Sequence, residues 1–169
     1  LKDKVAIVTG AGSGFGEGIA RRFAAEGAKV ILNDLDLGAA TRVCADITDR
    51  GDAAQVKTGD VSKDGDVAAL VAYARETFGR LDIVVNNAGI QPVAALTDLG
   101  GEEVGEMLRV NVGGVAAMTR EAAALMATGG SIVNISSIEG LQPAFDHSHY
   151  AASKAAVIMH TRAAALELG

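Results

Sequence analysis

Five short runs of apolar residues divide the chain, and most of them are continuous rather than alternating with polar residues. Strands that helices cover on both faces of a parallel sheet have continuous apolar runs, whereas strands with one wet face alternate. The pattern therefore predicts five buried strands. They comprise residues 5–9, 30–33, 54–58, 83–86 and 132–136.

The segments between these runs have the spacing of helices. Their apolar residues recur at intervals of three and four, which places them on one helical face. Strand and helix alternate from the first run onward, so we expect right-handed crossovers and a doubly wound parallel α/β sheet in one domain over residues 1–169. Two examples of the spacing are Ile19, Phe23 and Ala24, and Val67, Leu70, Val71, Ala74 and Phe78.

Two later helical segments, residues 115–127 and 151–168, carry Ala and Met on more than one face. A helix that is apolar nearly all round is normally buried on both sides. The sheet covers one side of each segment, and a second subunit is the expected cover for the other. The sequence therefore predicts a homo-oligomer, either a dimer or a tetramer.

Composition narrows the class of protein. Apolar residues make up 49% of the 169 residues and charged residues 21%, as in soluble globular domains. The net charge of -6, without a Lys/Arg stripe, argues against a nucleic-acid partner. No apolar run is long enough to span a bilayer and no signal-peptide pattern opens the chain, so we expect no membrane partner and a cytoplasmic location.

The chain has a single cysteine, Cys44, which rules out an internal disulfide framework and fits a reducing compartment. Cys44 falls on one helical stripe with Ala40, Val43 and Ile47. This position favours a buried structural thiol over a reactive one.

The first strand runs into the glycine-rich sequence TGAGSGFG. The pattern G-x-G-x-x-G does not fit, because Phe15 and Glu17 stand where its last glycine would be. The spacing that fits is T-G-x-x-x-G-x-G, with Gly10, Gly14 and Gly16. Missing side chains let the backbone approach phosphates, and a helix that begins near Gly14 directs its amides at them. A tight turn without a ligand is the alternative, and a P-loop is excluded because no Gly-Lys-Ser/Thr follows.

Asp34 ends the second strand about 20 residues beyond the glycine turn, where a carboxylate can accept from both adenosine ribose hydroxyls. The same carboxylate would repel a 2′-phosphate, and no Arg or Lys occupies Ser13 or positions 33–37. This favours NAD over NADP. Alternatively Asp34 caps the next helix, although Asp36 is better placed to do so.

Tyr150 and Lys154 are four residues apart, so they share one face of a helix. A phenol has a pKa near 10, and lowering that pKa to neutral pH requires about 4 kcal/mol, which a nearby ammonium supplies in part. A cation in the first turns of a helix opposes the helix dipole. Some other interaction must therefore hold Lys154, as is common at functional sites.

Asn111 and a pair of serines add polar groups to otherwise apolar surroundings. Asn111 lies on an apolar helical stripe, where a buried amide needs hydrogen-bonding partners; a helix-end or solvent-facing amide is the alternative. Ser136 and Ser137 end the fifth strand, at the carboxyl edge where open α/β sheets bind ligands. The stripe consists of Val104, Met107, Leu108 and Val115.

These motifs, in this order, resemble the classical short-chain dehydrogenases/reductases over essentially the whole chain. The resemblance also covers Asp60-Val61, the sequence NNAG at 86–89 and IVNISS at 132–137. It implies a Rossmann-like sheet with strand order 3-2-1-4-5, from which the family's C-terminal strands and substrate-closing segment are missing. We expect that part to be omitted from the chain, and a truncated, incompetent form is the alternative.

The resemblance also implies roles for individual residues. Tyr150 would be the general acid/base, and Ser137, chosen over Ser136 by its thirteen-residue spacing from Tyr150, would orient the reacting oxygen. Lys154 would bind the nicotinamide ribose and lower the pKa of the tyrosine, and Asn111 would hold a proton-relay water. No metal is implied. The cofactor-binding set is Gly10, Ser13, Gly14, Phe15, Gly16, Asp34, Asp60, Val61, Asn87, Ala88, Gly89, Tyr150 and Lys154.

The function that follows is an NAD-dependent oxidoreductase, which moves a hydride reversibly between a secondary alcohol or ketone and the nicotinamide. A non-catalytic NAD(H)-sensing protein on the same fold is the alternative, and a structural subunit is the third hypothesis. A sensor has no need of the phenol, so the complete Ser137, Tyr150 and Lys154 set argues against it. The family serves many alcohols, and the sequence does not select one.

The loop before Tyr150 contains further polar residues. Glu139 is expected to be a solvated loop carboxylate, with contact to a polar substrate as the alternative. Asp146, His147 and His149 lack a recognised spacing of metal ligands, so we expect loop or substrate-wall roles. His149, next to Tyr150, is the preferred candidate for contact with the substrate.

Overall fold

The computed structural model describes residues 1–126 and 129–169. Five parallel strands form one sheet in the order β3-β2-β1-β4-β5, which confirms the predicted fold and strand order. The strands are β1 (Val5–Thr9), β2 (Lys29–Asn33), β3 (Ala54–Val56), β4 (Ile83–Asn86) and β5 (Ser131–Asn134).

Two predicted strands end earlier than the apolar runs indicate. β3 ends at Val56, because Asn33 donates its side-chain amide to the carbonyls of Lys57 and Gly59 and so draws the chain across the end of β2. β5 ends at Asn134: the N–H of Ile135 still donates to Asn86 O of β4, but the Ile135 carbonyl and the Ser136 hydroxyl bond to Lys154 of α6. Of the residues past these ends, Ile135 and Ser136 are partly covered, whereas Thr58 is exposed.

Six α-helices flank the sheet in the described ranges. They are α1 (Gly14–Ala25), α2 (Leu37–Thr48), α3 (Asp64–Phe78), α4 (Gly101–Leu108), α5 (Gly114–Leu125) and α6 (Ser148–Leu168). A π-helical turn (Arg109–Gly113) joins α4 to α5, and a 3-10 turn (Ile138–Gly140) follows β5. The predicted helix at 115–127 is confirmed up to Leu125, and its last residue lies outside the described residues.

The core has one layer on each face of the sheet. Ile7 points into the layer beneath α3 and α5, whereas its neighbour Val8 points into the layer beneath α1 and α2. Both side chains are completely buried, as are Ile31 and Leu32 on the next strand. Successive strand residues face opposite sides, so burial of both faces requires a continuous apolar run.

Cys44 on α2 is only partly buried and packs against the layer beneath α1 and α2. Burial raises the pKa of its thiol, which disfavours the reactive thiolate. This agrees with a structural thiol, although the residue is less covered than the sequence predicts.

Asp82 anchors the start of the sheet. Its carboxylate accepts from the backbone N–H of Val5 at 2.9 Å, from the Lys4 ammonium at 3.2 Å and from the Arg80 guanidinium. Burial by itself raises the pKa of Asp82, but these donors outweigh burial and hold the pKa at about 2. The ionised carboxylate therefore stabilises the junction of β1 and β4.

We predict that Asp82→Asn destabilises the fold by about 1–3 kcal/mol at pH 7, because the amide loses the charge that its three donors need. The folded pKa lies below the ordinary value of 3.8, so the stabilisation is present above pH 3.8 and is lost as pH falls through about 2. Urea unfolding from pH 7 down to pH 2 measures both effects. Asp64→Asn, in an exposed pair with Arg120, is the control, and a penalty equal to that of the control contradicts the prediction.

Candidate active site

A cavity of about 730 Å³ opens at the carboxyl edge of the sheet, where the loops after β1, β2, β3 and β4 meet. Parallel strands bring their carboxyl ends to one edge, and open α/β sheets bind ligands there. Most of the predicted cofactor residues line this cavity. They are Gly10, Ser13, Gly14, Phe15, Asp34, Asp60, Val61, Asn87, Ala88 and Gly89.

The glycines of the turn have two roles: one allows the turn to close, and another leaves space for a ligand. A Cβ on Gly16 would lie 2.0 Å from the carbonyl oxygen of Gly10, so the turn closes only with glycine there. Gly14 has a φ of +54° and open space where its side chain would be, on the cavity side. Phe15 is 83% exposed at the rim. The backbone at Gly14 can thus approach a phosphate, at the start of α1.

Asp34 is held in a fixed orientation at this cavity. One carboxylate oxygen accepts from Gly12 N at 2.8 Å and the other from Asp36 N at 3.0 Å. Asp36, and not Asp34, is the N-cap of α2, because its side chain accepts from Ala39 N at 3.0 Å. The capping alternative for Asp34 is therefore wrong, and its carboxylate faces the cavity.

The segment after β3 forms another wall. Asp60 accepts from the hydroxyl of Ser62 at 2.7 Å and from its N–H at 2.9 Å, and the hydroxyl bond in particular lowers the pKa of Asp60. Val61 packs on the first residue of α5: a Cβ on Gly114 would lie 2.9 Å from the Val61 carbonyl oxygen. Both predicted residues are thus fixed where they line the cavity.

Thr9 and Asn87 connect the loops after β1 and β4. The hydroxyl oxygen of Thr9, which is buried, accepts from the backbone N–H groups of Asn87 and Ala88, both at 3.0 Å. The Asn87 side chain donates in return to the carbonyls of Thr9 and Gly10. Sequence reasoning missed Thr9, whose signal is the threonine that opens the glycine motif.

Asn111 is buried in the π-helical turn. Its amide oxygen accepts from Ile90 N at 2.8 Å, and its amide nitrogen donates to Ile90 O at 2.9 Å and to the Ser153 hydroxyl at 3.1 Å. The predicted need for partners is confirmed, and the solvent-facing alternative is wrong. Asn111 therefore ties the loop after β4 to α6, which carries Tyr150.

Lys154 is also buried, on α6. Its ammonium donates to Ile135 O at 3.0 Å and lies 5.6 Å from the centre of the Tyr150 ring. A Cβ on Gly89 would lie 3.5 Å from Lys154 Nζ, so the ammonium reaches the cavity lining. Burial lowers the pKa of Lys154. The bond to Ile135 supplies the stabilising interaction that the sequence requires for this cation.

The two serines after β5 have different partners. Ser136 donates its hydroxyl to Lys154 O at 2.8 Å and so fastens the end of the strand to α6. Ser137 instead accepts from Glu139 N at 3.1 Å, which leaves its hydroxyl proton for another acceptor. This difference agrees with the choice of Ser137 as the reacting serine.

Glu139 and His147 form a pair beside Tyr150. The carboxylate of Glu139 lies 3.0 Å from His147 Nδ1 and 3.4 Å from the Gln91 amide nitrogen, and the His147 ring makes an edge contact with the Tyr150 ring at 6.2 Å. The Glu139 side chain is only 15% exposed, so the prediction of a solvated loop carboxylate is wrong. The imidazole of His147 covers the Glu139 carboxylate and shields it from water.

His149 does not have the position that the sequence favours. Its side chain is buried, and within residues 1–126 and 129–169 neither ring nitrogen has a hydrogen-bond partner. His147, two residues earlier, is the histidine beside Glu139 and Tyr150. In the same described ranges, no group of three or more His, Cys, Asp or Glu residues is arranged to hold a metal ion.

A sequence profile of the short chain dehydrogenases matches residues 4–169. The chain belongs to this family. Its members are oxidoreductases that generally use NAD or NADP.

Relatives and solved structures agree with this assignment. Galactitol 2-dehydrogenase of Agrobacterium fabrum is 40% identical over 99% of this chain and 66% of its own length. D-beta-hydroxybutyrate dehydrogenase of Cupriavidus necator is 37% identical, with the same coverage. A short chain dehydrogenase structure from Mycobacterium avium has a TM-score of 0.96 and 37% identity, over 99% of this chain and 64% of that one.

The chain spans about two thirds of the length of these relatives. A second structure, from Mycobacterium smegmatis, matches with a TM-score of 0.96 and 36% identity, over 99% of this chain and 72% of that chain. In the part of the chain that the structure describes, no helix has the length and apolar character needed to cross a membrane.

We predict that Thr9→Val costs about 1–3 kcal/mol of stability, because it leaves the N–H groups of Asn87 and Ala88 without their acceptor in a buried position. Thr9→Ser keeps the hydroxyl and is the matched control, with an expected loss below about 1 kcal/mol. Urea unfolding measures both variants. A loss in Thr9→Val no larger than the loss in Thr9→Ser would contradict the role of the hydroxyl.

Proposed function

We propose that the protein to which this chain belongs is an NAD-dependent oxidoreductase that interconverts a secondary alcohol and its ketone. The observation that supports this best is the buried ammonium of Lys154. It lies 5.6 Å from the centre of the Tyr150 ring and 3.5 Å from where a Cβ on Gly89, a cavity-lining residue, would be. A buried cation beside a phenol at a dinucleotide-sized cavity is suited to proton transfer next to a cofactor.

The cavity residues fit the parts of a nicotinamide dinucleotide. The start of α1 at Gly14 would hold the pyrophosphate, and Asp34 would accept from the adenosine ribose hydroxyls. Asp60 and Val61 would contact the adenine, and Gly89 would let the nicotinamide ribose approach Lys154. When bound, the nicotinamide supplies the hydride chemistry.

The protein residues provide the proton transfer and the orientation. The Lys154 ammonium stabilises negative charge on the Tyr150 oxygen, which then accepts the proton of the alcohol or returns it to the ketone. Ser137 has its hydroxyl proton available to orient the same substrate oxygen. Asn111, whose two amide protons go to Ile90 and Ser153, positions α6; we also propose that it helps to hold a relay water near Lys154, since its amide oxygen keeps one acceptor position.

The fixed Asp34 carboxylate favours NAD, because a 2′-phosphate would be placed against a negative charge. The lone partly buried thiol fits a reducing compartment, so the proposal includes the cytoplasm. The proposal names the substrate only as a secondary alcohol or ketone, since the two relatives are named for a polyol and for a hydroxy acid. Glu139 and His147, beside Tyr150, are the polar groups that the substrate would meet.

A nucleotide sensor without catalysis is the second candidate. It would use the cavity but would have no use for Tyr150, and burying Lys154 has a cost in desolvation that binding alone does not require. The named dehydrogenases among the relatives also favour catalysis.

We predict that Tyr150→Phe lowers turnover by about 10²–10⁴-fold, because the phenolic proton acceptor is lost, while NADH binding survives. The complete gene product is assayed at the NADH absorbance with a panel of alcohols and ketones, and binding is read by NADH fluorescence. Tyr73→Phe, on a helix remote from the cavity, is the control. Unchanged turnover in Tyr150→Phe would defeat the proposal; tight NADH binding without turnover of any substrate by the wild type would favour the sensor.

We also propose a homo-oligomer, a dimer or a tetramer, with α5 and α6 at the contact. Met159, Leu166 and Leu168 of α6 are each more than half exposed, and a cavity of about 650 Å³ lies between α5, β5 and α6. Burying such residues against a second copy is favourable. Light scattering of the complete gene product should give a multiple of the monomer mass, and a monomeric mass would contradict the proposal.

A further inference from the structure

An ion-pair cluster joins α1 to α2 beside the glycine turn, and the proposed chemistry does not use it. Both terminal nitrogens of Arg42 bind Glu17, at 2.8 and 3.2 Å. Arg21 binds Glu17 at 2.9 Å and Asp46 at 2.6 Å. With two guanidinium groups and two carboxylates, the cluster is electrically balanced.

Gly12 connects Arg42 to Asp34, which lines the cofactor cavity. Arg42 Nη2 donates to Gly12 O at 3.0 Å, and Gly12 N donates to Asp34 at 2.8 Å. One residue therefore separates a guanidinium from the carboxylate that faces the ribose position. The Arg42 side chain is 53% exposed, so no wall confines it.

Arg42 lies outside positions 33–37, where a basic residue beside Asp34 is expected in the sequence. It is on the second turn of α2, and only the tertiary structure brings it to Gly12. Its charge matters for cofactor choice. In dinucleotide sites of this type, a carboxylate binds the 2′-hydroxyl of NAD, whereas a nearby arginine accommodates the 2′-phosphate of NADP. This site contains both groups.

Glu17 is the carboxylate that binds the Arg42 guanidinium. Its hydrogen bonds to Arg42 and then to Arg21 lower the pKa of Glu17 to about 2, so it is ionised at neutral pH. A two-bond carboxylate–guanidinium pair is strong and fixes the direction of the guanidinium. As long as Glu17 is charged, the fork of Arg42 is occupied and its charge is balanced.

We propose that Glu17 is a cofactor-specificity residue: by occupying Arg42, it keeps this guanidinium from serving a 2′-phosphate and so reinforces the preference of Asp34 for NAD. The inference rests on the proposed function, namely that the cavity takes a nicotinamide dinucleotide. It adds a residue of the glycine-turn helix, outside the cavity lining, to the determinants of selectivity.

The test is isothermal titration of the complete gene product with NAD⁺ and with NADP⁺ at low salt. Glu17→Gln keeps the shape of the side chain and leaves the charge of Arg42 uncompensated. The ratio of the NADP⁺ Kd to the NAD⁺ Kd should fall by up to about fivefold, the size expected for one partly exposed charge pair. The gain should shrink as salt is added.

Arg42→Gln gives a result of opposite sign. It removes the positive charge that is bonded to Gly12 and leaves the Glu17 carboxylate with Arg21 as its remaining partner, so the ratio should rise, and the double variant Glu17→Gln/Arg42→Gln should return close to the wild-type ratio. Glu26→Gln is the matched control, since Glu26 ends the same helix in an exposed pair with Arg22 and should not move the ratio.

An unchanged ratio in Glu17→Gln, or a gain that persists in the double variant, overturns the inference. Thermal unfolding of each variant confirms that the comparison is made on folded protein. The outcomes also separate the two proposals: a wild type that binds neither nucleotide contradicts the proposed function, whereas a wild type that binds NAD⁺ and is unaffected by Glu17→Gln contradicts only the role of Glu17.

Discussion

The buried ammonium of Lys154 constrains the site more than any other group. Removing a charge from water is costly unless hydrogen bonds compensate for the lost hydration. Ile135 O supplies such a bond at the end of β5, and Ser136 fastens the same turn of α6 from the next residue. The strand end and the helix must therefore stay in register, which also fixes the position of Tyr150.

The remaining elements secure the surroundings of that ammonium. Asn111 joins α6 to the loop after β4, and Thr9 joins this loop to the glycine turn. Because each bond connects segments far apart in the chain, the cavity edge is a continuous hydrogen-bonded structure. Such preorganisation is what proton transfer beside a cofactor requires.

Charge organises the other end of the cavity. Asp34 is fixed by two backbone N–H groups, and the arginine nearest to it is balanced by Glu17. Two opposite preferences for a ribose substituent thus lie within one residue of each other. In our proposal, the ion pair between α1 and α2 reinforces the preference that Asp34 sets at the end of β2.

The sequence alone determined the five strands and the shared helical face of Tyr150 and Lys154, and the family resemblance supplied the strand order. Burial of both sheet faces requires continuous apolar runs, and residues four apart on a helix share a face, so both signals are local. The glycine spacing is local too. The tertiary structure decided that Asn111 clamps Ile90, that His147 rather than His149 pairs with Glu139, and that Arg42 reaches Gly12. These contacts depend on how helices and loops pack across the sheet. No pattern along the chain encodes the distances between side chains that packing brings together.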